Sequence, residues 1–310
     1  MKRIAIVVPC YNEEDALRLF YDEVRKHFVP GYDFYLLFVD DGSKDGTLQT
    51  IKEISLQDQK VLYLSFSRNF GKEAAIYAGL SAAKEIDADA AILIDADLQD
   101  PPGLIPEMLA LYEAGYKHVY TKHRSRKGEP FLKKFFARSF YIIYGLFTKN
   151  RNIARGARDF SLLDRDVIEA FLKIKDYRRF TKGIFAWLGF QSKCLEFDYV
   201  PRAAGKTKWS FKKLFRYAIL GIKQFSHFYL LIPNILIILC LLLFGFEIIH
   251  GIREGFNHLA LRMEILALLI LIGIKYLMRL LYDIRDQTLG RPLYLTKETN
   301  VEVRNHEETL

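Results

Sequence analysis

The sequence contains few cysteines, and their spacing suggests no pairing. The 310 residues include only Cys10, Cys194 and Cys240, which lie far apart in the chain. Disulfide frameworks and zinc sites need cysteines at short, repeated spacings, so we expect free thiols in a reducing compartment. The apolar run at 4–10 is too short for a signal peptide and is followed at once by acidic residues. We therefore expect a first strand there and no export signal.

Two glycine-rich nucleotide-binding motifs are also missing. The chain contains neither Gly-x-Gly-x-x-Gly nor Gly-x-x-x-x-Gly-Lys-Ser/Thr. A Rossmann dinucleotide site and a P-loop ATPase are therefore not indicated. Residues 40–47 resemble a calcium-binding loop only loosely, because the spacing differs and the segment follows a predicted strand.

The positive charge is concentrated in one segment. Lys and Arg outnumber Asp and Glu by 45 to 37, which gives a net charge of +8. Residues 122–151 contain nine Lys or Arg and one acid, Glu129, so this block holds the whole excess. A confined basic block favours binding of a polyanion, whether nucleic acid, anionic lipid or phosphate.

The first hundred residues alternate strand and helix patterns. The predicted strands are 4–8, 34–39, 61–66 and 90–94, and the predicted helices are 12–27, 45–55 and 71–84. Asn12 is the predicted cap of the first helix. Such alternation predicts a mostly parallel sheet with its ligand site at the carboxyl ends of the strands. Polar residues follow each strand, as such a site requires.

Two carboxylates follow the fourth strand directly. Asp95 and Asp97 are separated by one alanine and precede a double proline at 101–102. Residues two apart on a strand share one face, so both side chains can reach one ligand. A hard divalent cation takes oxygen ligands and shares them with substrate phosphates. A lone Asp-x-Asp is more often a pair of solvated loop acids, so the assignment depends on the neighbouring motifs.

Basic and aromatic residues alternate over 131–147, which is typical of an amphipathic helix at a membrane interface. Its rings, Tyr144 among them, are expected at the acyl boundary. Segment 210–228 repeats the pattern. Without the aromatic residues, the basic block would more often be a solvated face.

Two apolar stretches follow, at about 228–250 and 263–283, and each is long enough to cross the ~30 Å hydrocarbon core. Lys275 and Arg279 interrupt the second stretch and must snorkel or line a protein contact. The positive-inside rule places both ends of the chain in the cytoplasm and the turn at 251–262 outside. The alternative is a buried helical hairpin in a soluble protein.

Seven motifs occur in an order that resembles the family-2 glycosyltransferases of GT-A fold. The first four are Val-Val-Pro-Cys-Tyr-Asn-Glu-Glu at 7–14, Val-Asp-Asp-Gly-Ser at 39–43, Ser-Arg-Asn-Phe-Gly-Lys at 67–72 and Asp-Ala-Asp-Leu-Gln-Asp-Pro at 95–101. Segments 156–165, 202–210 and 290–292 extend the match over essentially the whole chain. Within this family, the motifs most resemble the branch of dolichol-phosphate mannose synthases and polyprenyl-phosphate glycosyltransferases, of the bactoprenol glucosyltransferase type.

The resemblance implies an α/β protein with a Rossmann-like mixed sheet flanked by helices. Residues 1–209 are the expected catalytic domain, including an interfacial helix at about 130–148. A juxtamembrane amphipathic helix at 210–227 leads into a transmembrane hairpin at 228–284, and 285–310 form a cytoplasmic tail. A homo-oligomer through the membrane helices or the tail is compatible with this layout.

The resemblance also implies roles for individual residues. The nucleotide-sugar site is expected to comprise Pro9, Tyr11, Glu13, Asp40, Asp95, Ala96 and Gln99. The ligands of Mg²⁺ or Mn²⁺ are expected to be Asp95, Asp97 and Gln99. The lipid phosphate and the loop closing over it are assigned Arg124, Lys134, Arg138, Ser139, Arg178 (or Arg179), Arg202 and Lys208. Catalytic roles are expected for Asp159, Asp97 and Arg124.

Asp159 matches the acid that the family places beside the acceptor. We expect it to orient the acceptor or to take a residual proton. A lipid monophosphate, with a second pKa near ~6, is mostly dianionic at neutral pH and needs little help from a base. The alternative for Asp159 is a capping or salt-bridged acid beside Arg158 or Arg155. Asp41 is expected to be a turn former rather than a ligand.

The implied reaction is the inverting transfer of a hexose from a nucleotide sugar, UDP-linked in our expectation, to undecaprenyl or another polyprenyl phosphate. It takes place at the cytoplasmic face of the inner membrane and serves cell-envelope glycan modification. Glucose is the favoured sugar, followed by N-acetylglucosamine, then galactose and mannose.

Three other functions fit the sequence less well than this reaction does. A processive polysaccharide synthase needs a Gln-x-x-Arg-Trp stretch and a multi-helix channel, which the sequence lacks. A non-catalytic membrane scaffold is disfavoured because the metal and nucleotide motifs are all present. Nucleic acid is not an expected partner, since no recognisable binding module accompanies the basic block.

Overall fold

The computed structural model describes residues 1–124, 142, 144–145, 148, 156–198, 211–225, 231–254 and 259–301. The strands are β1 Lys2–Cys10, β2 Tyr32–Asp40, β3 Val61–Phe66, β4 Ala90–Leu93, β5 His118–His123, β6 Ala157–Asp164, β7 Ser192–Phe197 and β8 Thr296–Thr299. The helices are α1 Glu14–Arg25, α2 Thr47–Gln57, α3 Lys72–Glu85, α4 Ile105–Glu113, α5 Arg165–Lys173, α6 Thr181–Leu188, α7 Phe211–Phe225, α8 Leu231–Glu254 and α9 Leu259–Thr288.

The strands form one eight-stranded sheet in the order β7-β5-β6-β4-β1-β2-β3-β8. The four strands predicted from the first hundred residues, β1 to β4, run parallel, as expected. Strand β6 runs antiparallel between β4 and β5, and β8 runs antiparallel along β3. The sheet is therefore mixed, which confirms the predicted α/β class and brings the carboxyl ends of β1 to β4 to one edge.

Helices cover both faces of the sheet. Helices α1, α2 and α4 pack on one face around Phe20, Ile51 and Met108, whereas α3, α5 and α6 pack on the other around Leu80 and Phe171. Because both faces are covered, the central strands read as continuous apolar runs rather than as alternating patterns. This packing holds the loops at the carboxyl edge on a rigid base.

Asn12 does not cap α1 as predicted. The N-cap is Glu13, and Asn12 has a positive φ of 51°. The backbone amide of Asn12 donates to Ser43 Oγ at 2.9 Å, and the side-chain Oδ1 of Asn12 accepts from the Lys44 backbone amide at 2.9 Å. The side chain therefore ties the loop after β1 to the loop after β2, because an asparagine tolerates the left-handed conformation that this crossing requires.

Helices α8 and α9 correspond to the two predicted apolar spans. Within them, Pro233–Ile252 and Ile265–Thr288 are long and apolar enough to cross a membrane, judged by length and composition. Almost none of either segment is buried in the protein, which disfavours the alternative of a buried hairpin. The helices extend further into the predicted turn at 251–262 than expected, to Glu254 and from Leu259.

Helix α7 corresponds to the predicted juxtamembrane helix, and it packs on the domain that carries the sheet. Gly221 lies so close to Phe180 that a Cβ atom there would meet the ring at 2.8 Å. Tyr144, which we expected at the acyl boundary, is instead fully buried and packs with Phe180 and Ile222. This prediction was wrong, because an amphipathic pattern cannot distinguish a ring that faces lipid from one that faces a neighbouring helix.

The predicted tail contains a strand that the sequence pattern did not indicate. After α9 the chain returns to the sheet, where β8 pairs with β3 and Tyr294 stacks on Phe66 at 4.9 Å between ring centroids. Val301 is buried against the same face. The strand is short and polar, as edge strands often are, which explains why hydrophobic periodicity missed it.

Candidate active site

A cavity of about 880 Å³ opens at the carboxyl ends of the parallel strands. This volume lies within the roughly 300–1,000 Å³ that is typical of small-molecule sites. One side, here called the sheet-edge wall, is formed by Pro9, Cys10, Tyr11, Glu13, Asp41, Asn69, Gly71, Lys72, Ala75, Asp95, Ala96 and Asp97. The other side, here called the helical wall, is formed by Arg178, Tyr217, Ile219, Leu220, Lys223 and Arg279.

The two acids after β4 both line the cavity. Asp97 is 6% exposed, and its Oδ1 accepts a hydrogen bond from the Gln99 amide at 3.1 Å. Leu98, which separates Asp97 from Gln99, has a positive φ of 56°, which is uncommon for a bulky side chain. Such strained conformations cluster at functional sites, where surrounding contacts hold them. The loop therefore fixes the Asp97 carboxylate toward the cavity.

Asp41, which we expected to serve only in a turn, lines the cavity. Its carboxylate accepts from the amides of Phe70 at 2.6 Å and Gly71 at 2.9 Å, which ties the loop after β2 to the start of α3. Burial raises the pKa of Asp41 to about 6, although these amide bonds oppose the shift. Gly42, with φ of 65°, is needed beside it, since a Cβ atom would meet the Arg68 carbonyl oxygen at 2.8 Å.

Lys72 connects the cavity to Asp159. Its Nζ lies 2.7 Å from Asp95 Oδ1 and 2.5 Å from Asp159 Oδ2. Burial disfavours the charge on Lys72, but the two carboxylates outweigh burial and raise its pKa above the ordinary range. The ammonium group therefore stays charged and holds the two acids in a fixed relation.

Asp159 lies beside a second cavity of about 210 Å³, next to Lys182. Lys182 Nζ is 3.4 Å from Asp159 Oδ1. Burial opposes ionisation of Asp159, but Lys182 and Lys72 outweigh it and hold its pKa well below the usual range. A carboxylate with so low a pKa is a weak general base at neutral pH. Arg158, one of the neighbours considered as its partner, instead pairs with the buried Asp100 at 2.8 Å.

The helical wall is joined to the domain by polar contacts. Tyr217 donates its hydroxyl to Glu73 Oε1 at 2.6 Å, and the Thr181 amide donates to Glu73 Oε2 at 3.0 Å. Burial raises the pKa of Glu73, although both hydrogen bonds counteract it. Helices α3, α6 and α7 are thus held together by one carboxylate behind the cavity.

Arg178 connects the domain to the end of α9. Its Nη1 lies 2.7 Å from Asp283 Oδ1, and its Nη2 lies 3.0 Å from Asp286 Oδ2. Lys223 Nζ on α7 also approaches Asp283, at 3.5 Å. The alternative to Arg178, Arg179, is 2% exposed and donates to the carbonyl oxygens of Phe171 and Ile174. Arg179 therefore supports the loop from inside and does not face the cavity.

Most residues expected at the nucleotide line the cavity, and two do not. Pro9, Tyr11, Glu13, Asp95 and Ala96 form part of the sheet-edge wall. Asp40 is buried beneath the wall, where its carboxylate accepts from the Ser43 amide at 3.0 Å and from Ser65 Oγ at 2.7 Å. Gln99 is not among the residues that line the cavity. The roles of Asp40 and Gln99 stay predictions.

The residues expected at the lipid phosphate are mostly beyond what the structure describes. Lys134, Arg138, Ser139, Arg202 and Lys208 lie outside the described residues. Arg124, at the end of β5, has a side chain 64% exposed and a guanidinium 3.7 Å from Asp198, and it does not line the cavity. Arg178 does line it.

The donor set at the cavity suits a divalent cation only in part. Asp95 and Asp97 offer carboxylate oxygens from one loop, which is the ligand chemistry that Mg²⁺ and Mn²⁺ prefer. Among the described residues, no group of three or more His, Cys, Asp or Glu side chains could hold a metal by itself. The residues therefore fit an ion that shares its remaining positions with substrate phosphates and water, as Mg²⁺ commonly does.

Lys72, Lys182, Tyr217 and Lys223 were not predicted as residues of the site. For the two lysines at helix starts a signal existed, because a cation in the first turn opposes the helix dipole and so implies an anionic partner. For Tyr217 and Lys223 on α7, the helical pattern gives no indication of which face meets the cavity.

The model of glycosyl transferase family 2 matches residues 5–172. An uncharacterized glycosyltransferase of Synechocystis sp. is 35% identical, with 95% of each chain covered. The bactoprenol glucosyl transferase of Shigella phage SfV is 38% identical over 73% of each chain. Glucosyl-3-phosphoglycerate synthase from Mycobacterium tuberculosis, solved with Mn²⁺ and UDP-glucose, is similar with a TM-score of 0.47 and 19% identity, covering 70% of this chain and 76% of that one. The chain therefore belongs to glycosyl transferase family 2, and its mixed sheet is of the GT-A type that the motifs predicted.

Proposed function

We propose that the protein transfers a glucosyl group from UDP-glucose to a polyprenyl phosphate at the cytoplasmic face of the membrane. The product is a polyprenyl-monophosphate sugar for modification of cell-envelope glycans. The name of the phage relative, a bactoprenol glucosyl transferase, supports the class of acceptor and the sugar. N-acetylglucosamine is the second candidate for the sugar.

One observation carries this proposal: a single cavity has acids on one wall and cations from two helices on the other. Asp95 and Asp97 stand on the sheet-edge wall, whereas Lys223 and Arg279 come from α7 and the apolar α9. A donor in water and an acceptor in a bilayer can meet only in a cavity that reaches both. This arrangement supports a lipid acceptor over a water-soluble one.

The proposed reaction is a single displacement at the anomeric carbon of the sugar. A phosphate oxygen of the lipid attacks that carbon, and the bond to the β-phosphate oxygen of UDP breaks from the opposite side. The configuration inverts, and UDP leaves with the electron pair of the broken bond. A dianionic acceptor transfers no proton in this step, so a general base is not required.

Asp159 then has a positioning role rather than a basic one. Its carboxylate keeps Lys72 and Lys182 in place, and its low pKa makes it a poor proton acceptor. Asp97, with Asp95, would hold Mg²⁺ or Mn²⁺ against the donor diphosphate. When bound, such an ion supplies charge neutralisation for the leaving group.

We propose that both termini lie in the cytoplasm and that α8 and α9 form a membrane hairpin. The pairing of β8 with β3 supports this topology, because it brings the chain after α9 back to the catalytic domain. A cysteine at Asn257, in a background without native cysteines, should be labelled by an impermeant maleimide from outside intact cells. A cysteine at Thr296 should react only after lysis, and the reverse pattern would refute the topology.

The reaction is tested with purified full-length protein in nanodiscs that contain undecaprenyl phosphate. Radiolabelled UDP-glucose and UDP-N-acetylglucosamine are supplied separately, and label in the organic phase is measured. We expect label from UDP-glucose to appear in the organic phase. Mild acid should release this label, as expected for a sugar joined to a monophosphate. Transfer only to a water-soluble acceptor, or none from any sugar nucleotide, would refute the proposal.

A further inference from the structure

The helical wall includes one cation from α9, Arg279. It lines the cavity, and within the described part of the chain it has no acidic side chain at salt-bridge distance. Its two basic neighbours differ in this respect. Arg178 is paired with Asp283 and Asp286, and Lys223 also approaches Asp283. The positive charge of Arg279 is therefore available to a ligand in the cavity.

The face of α9 that carries Arg279 is turned toward the catalytic domain. Arg279, Asp283 and Asp286 are four and three residues apart, so they share one side of the helix. Asp283 and Asp286 contact Arg178 of the domain, which fixes the rotation of α9 about its axis. Arg279, one turn earlier, must then face the same direction, into the cavity.

Arg279 lies toward the charged end of α9. The apolar segment that could cross the hydrocarbon core is Ile265–Thr288, and Arg279 is in its second half. Asp283, Arg285 and Asp286 follow within two turns of the helix. A long arginine side chain at such a position can extend to the level of the lipid phosphates.

We infer that Arg279, assisted by Lys223, binds the phosphate of the lipid acceptor. This inference rests on the proposed function and names the site where its acceptor is held. A phosphate dianion suits two cations, and a guanidinium offers it a bidentate pair of hydrogen bonds. Asp283 and Asp286 then have a distinct purpose, which is to orient α9 without neutralising Arg279. The sequence had suggested Arg124 for this contact, but Arg124 lies outside the cavity.

The test uses the full-length protein in nanodiscs of neutral phosphatidylcholine, with undecaprenyl phosphate as the only anionic lipid. Arg279→Gln removes the charge, and Arg279→Lys keeps the charge but loses the bidentate geometry. Arg285→Gln is the matched control, because this exposed arginine lies on another face of α9 and does not line the cavity. The KM values for lipid and for UDP-glucose are measured separately.

We expect Arg279→Gln to raise the KM for undecaprenyl phosphate roughly ten- to a hundredfold, as for loss of a charge-assisted contact. Arg279→Lys should fall between the wild type and Arg279→Gln. The KM for UDP-glucose should change by less than about twofold, and Arg285→Gln should match the wild type in both. An unchanged lipid KM, or an effect on the UDP-glucose KM instead, would overturn the inference.

Two further measurements are needed. The first distinguishes the phosphate of the acceptor from bulk lipid headgroups, and the second tests the Arg279 inference independently of the proposed reaction. If the effect of Arg279→Gln appears only after phosphatidylglycerol is added, Arg279 binds bulk headgroups and the inference fails. Binding of undecaprenyl phosphate, followed by native mass spectrometry, needs no turnover. Loss of binding in Arg279→Gln supports the inference even if the wild type transfers no sugar. A wild type that binds the lipid but transfers no sugar would count against the proposed reaction alone. Equal binding by both proteins overturns the inference.

Discussion

The two walls of the cavity are held in place by different kinds of contact. On the sheet-edge wall, backbone amides fix the acids: Phe70 and Gly71 donate to Asp41, and Gln99 donates to Asp97. On the helical wall, exposed side chains form ion pairs, such as Arg178 with Asp283 and Asp286. Buried acids held by amides are rigid, whereas exposed ion pairs contribute only about 0–1 kcal/mol each.

This difference suggests how the two substrates are accommodated. A rigid wall suits a nucleotide diphosphate, whose geometry is fixed by the loops at the sheet edge. A wall that adjusts at little energetic cost suits a lipid phosphate that arrives with a long and mobile chain. Mutations on the sheet-edge wall should therefore affect catalysis most, and those on the helical wall should mainly affect the lipid KM.

The largest effect is expected at Asp97. Asp97→Asn, or removal of divalent metal with EDTA, should lower kcat by about a thousandfold, because the charge of the leaving diphosphate is then poorly neutralised. Mg²⁺ or Mn²⁺ should restore the EDTA-treated wild type but not the variant. Initial rates of transfer measure both effects.

Asp22→Asn is the matched control for Asp97→Asn, since Asp22 is exposed on α1 and does not line the cavity. It should leave the rate and the metal dependence unchanged. Full activity of the wild type in EDTA would show that the sheet-edge wall works without a metal.

The sheet-edge wall could be predicted from sequence because it depends on one rule of topology. Apolar runs bounded by polar residues placed β1 to β4 within about two residues of their true ends, and parallel strands bring their carboxyl ends to one edge. The same rule did not distinguish Asp40 from Asp41, and of the two only Asp41 lines the cavity. Strand β2 ends at Asp40, whose side chain turns inward, while Asp41 begins the loop and faces the cavity.

Apart from Arg178, which the resemblance implied, the helical wall could not be predicted, because its residues come from three distant segments. Arg178, Lys223 and Arg279 meet the cavity only through the packing of α7 and α9 on the domain. The close approach of Gly221 to Phe180 sets part of that packing, and no hydrophobic pattern reveals such a contact. The return of β8 to the sheet was missed for a related reason, since all four of its residues are polar.

The second prediction tests how strongly the sheet-edge wall depends on Lys72. Lys72→Met should lower the free energy of unfolding by about 2–3 kcal/mol, because it leaves Asp95 and Asp159 without a shared cation. Thermal unfolding of the purified protein measures the loss. Adding Asp159→Asn to the variant should recover part of it, since one of the uncompensated charges is then removed.

Lys84→Met, at the exposed end of the same helix, is the control for Lys72→Met. It removes a lysine that lines neither cavity and should shift the unfolding temperature by little. Equal losses in the two variants would mean that the Lys72 ion pairs contribute nothing specific to the wall.

The third prediction concerns the ion pairs of the helical wall. Arg178→Glu should raise the lipid KM about fivefold, roughly 1 kcal/mol, because it places like charges opposite Asp283 and Asp286. If Arg178 positions α9, adding Asp286→Arg to Arg178→Glu reverses the ion pair and should return the lipid KM most of the way to the wild-type value. If Arg178 instead contacts the substrate phosphates, the double variant stays impaired. Steady-state kinetics at saturating UDP-glucose distinguish the two results.

A matched control for Arg178→Glu is Arg165→Glu. Arg165 pairs with Asp87 at 3.3 Å in a similarly exposed position, and neither residue lines the cavity. The control should leave the lipid KM unchanged. A rise equal to that of Arg178→Glu would show that any reversed surface charge has this effect.

The smallest effect is expected at Asp41, and it depends on pH. Burial raises the pKa of Asp41 to about 6 in the folded protein, above the value of about 3.8 for a free side chain. The folded state therefore binds a proton more tightly than the unfolded state, and the contribution of Asp41 to stability falls as pH rises from about 4 to about 6. Above pH 6 the folded protein retains a buried carboxylate whose ionisation is unfavourable.

Asp41→Asn removes that unfavourable ionisation and keeps an oxygen for the Phe70 and Gly71 amides. We expect it to raise the free energy of unfolding by about 1 kcal/mol at pH 8, since weaker hydrogen bonds to a neutral amide offset part of the gain. At pH 5 the group is mostly protonated in the folded wild type and mostly ionised in the unfolded chain, so only part of the loss has developed and Asp41→Asn should stabilise less than at pH 8. Asp100, whose pKa is also raised to about 6, is present in both and cancels in the comparison. A stabilisation that is equal at pH 5 and pH 8 would exclude ionisation of Asp41 as its cause. A charged Asp41 would then not be one of the groups that make the sheet-edge wall rigid.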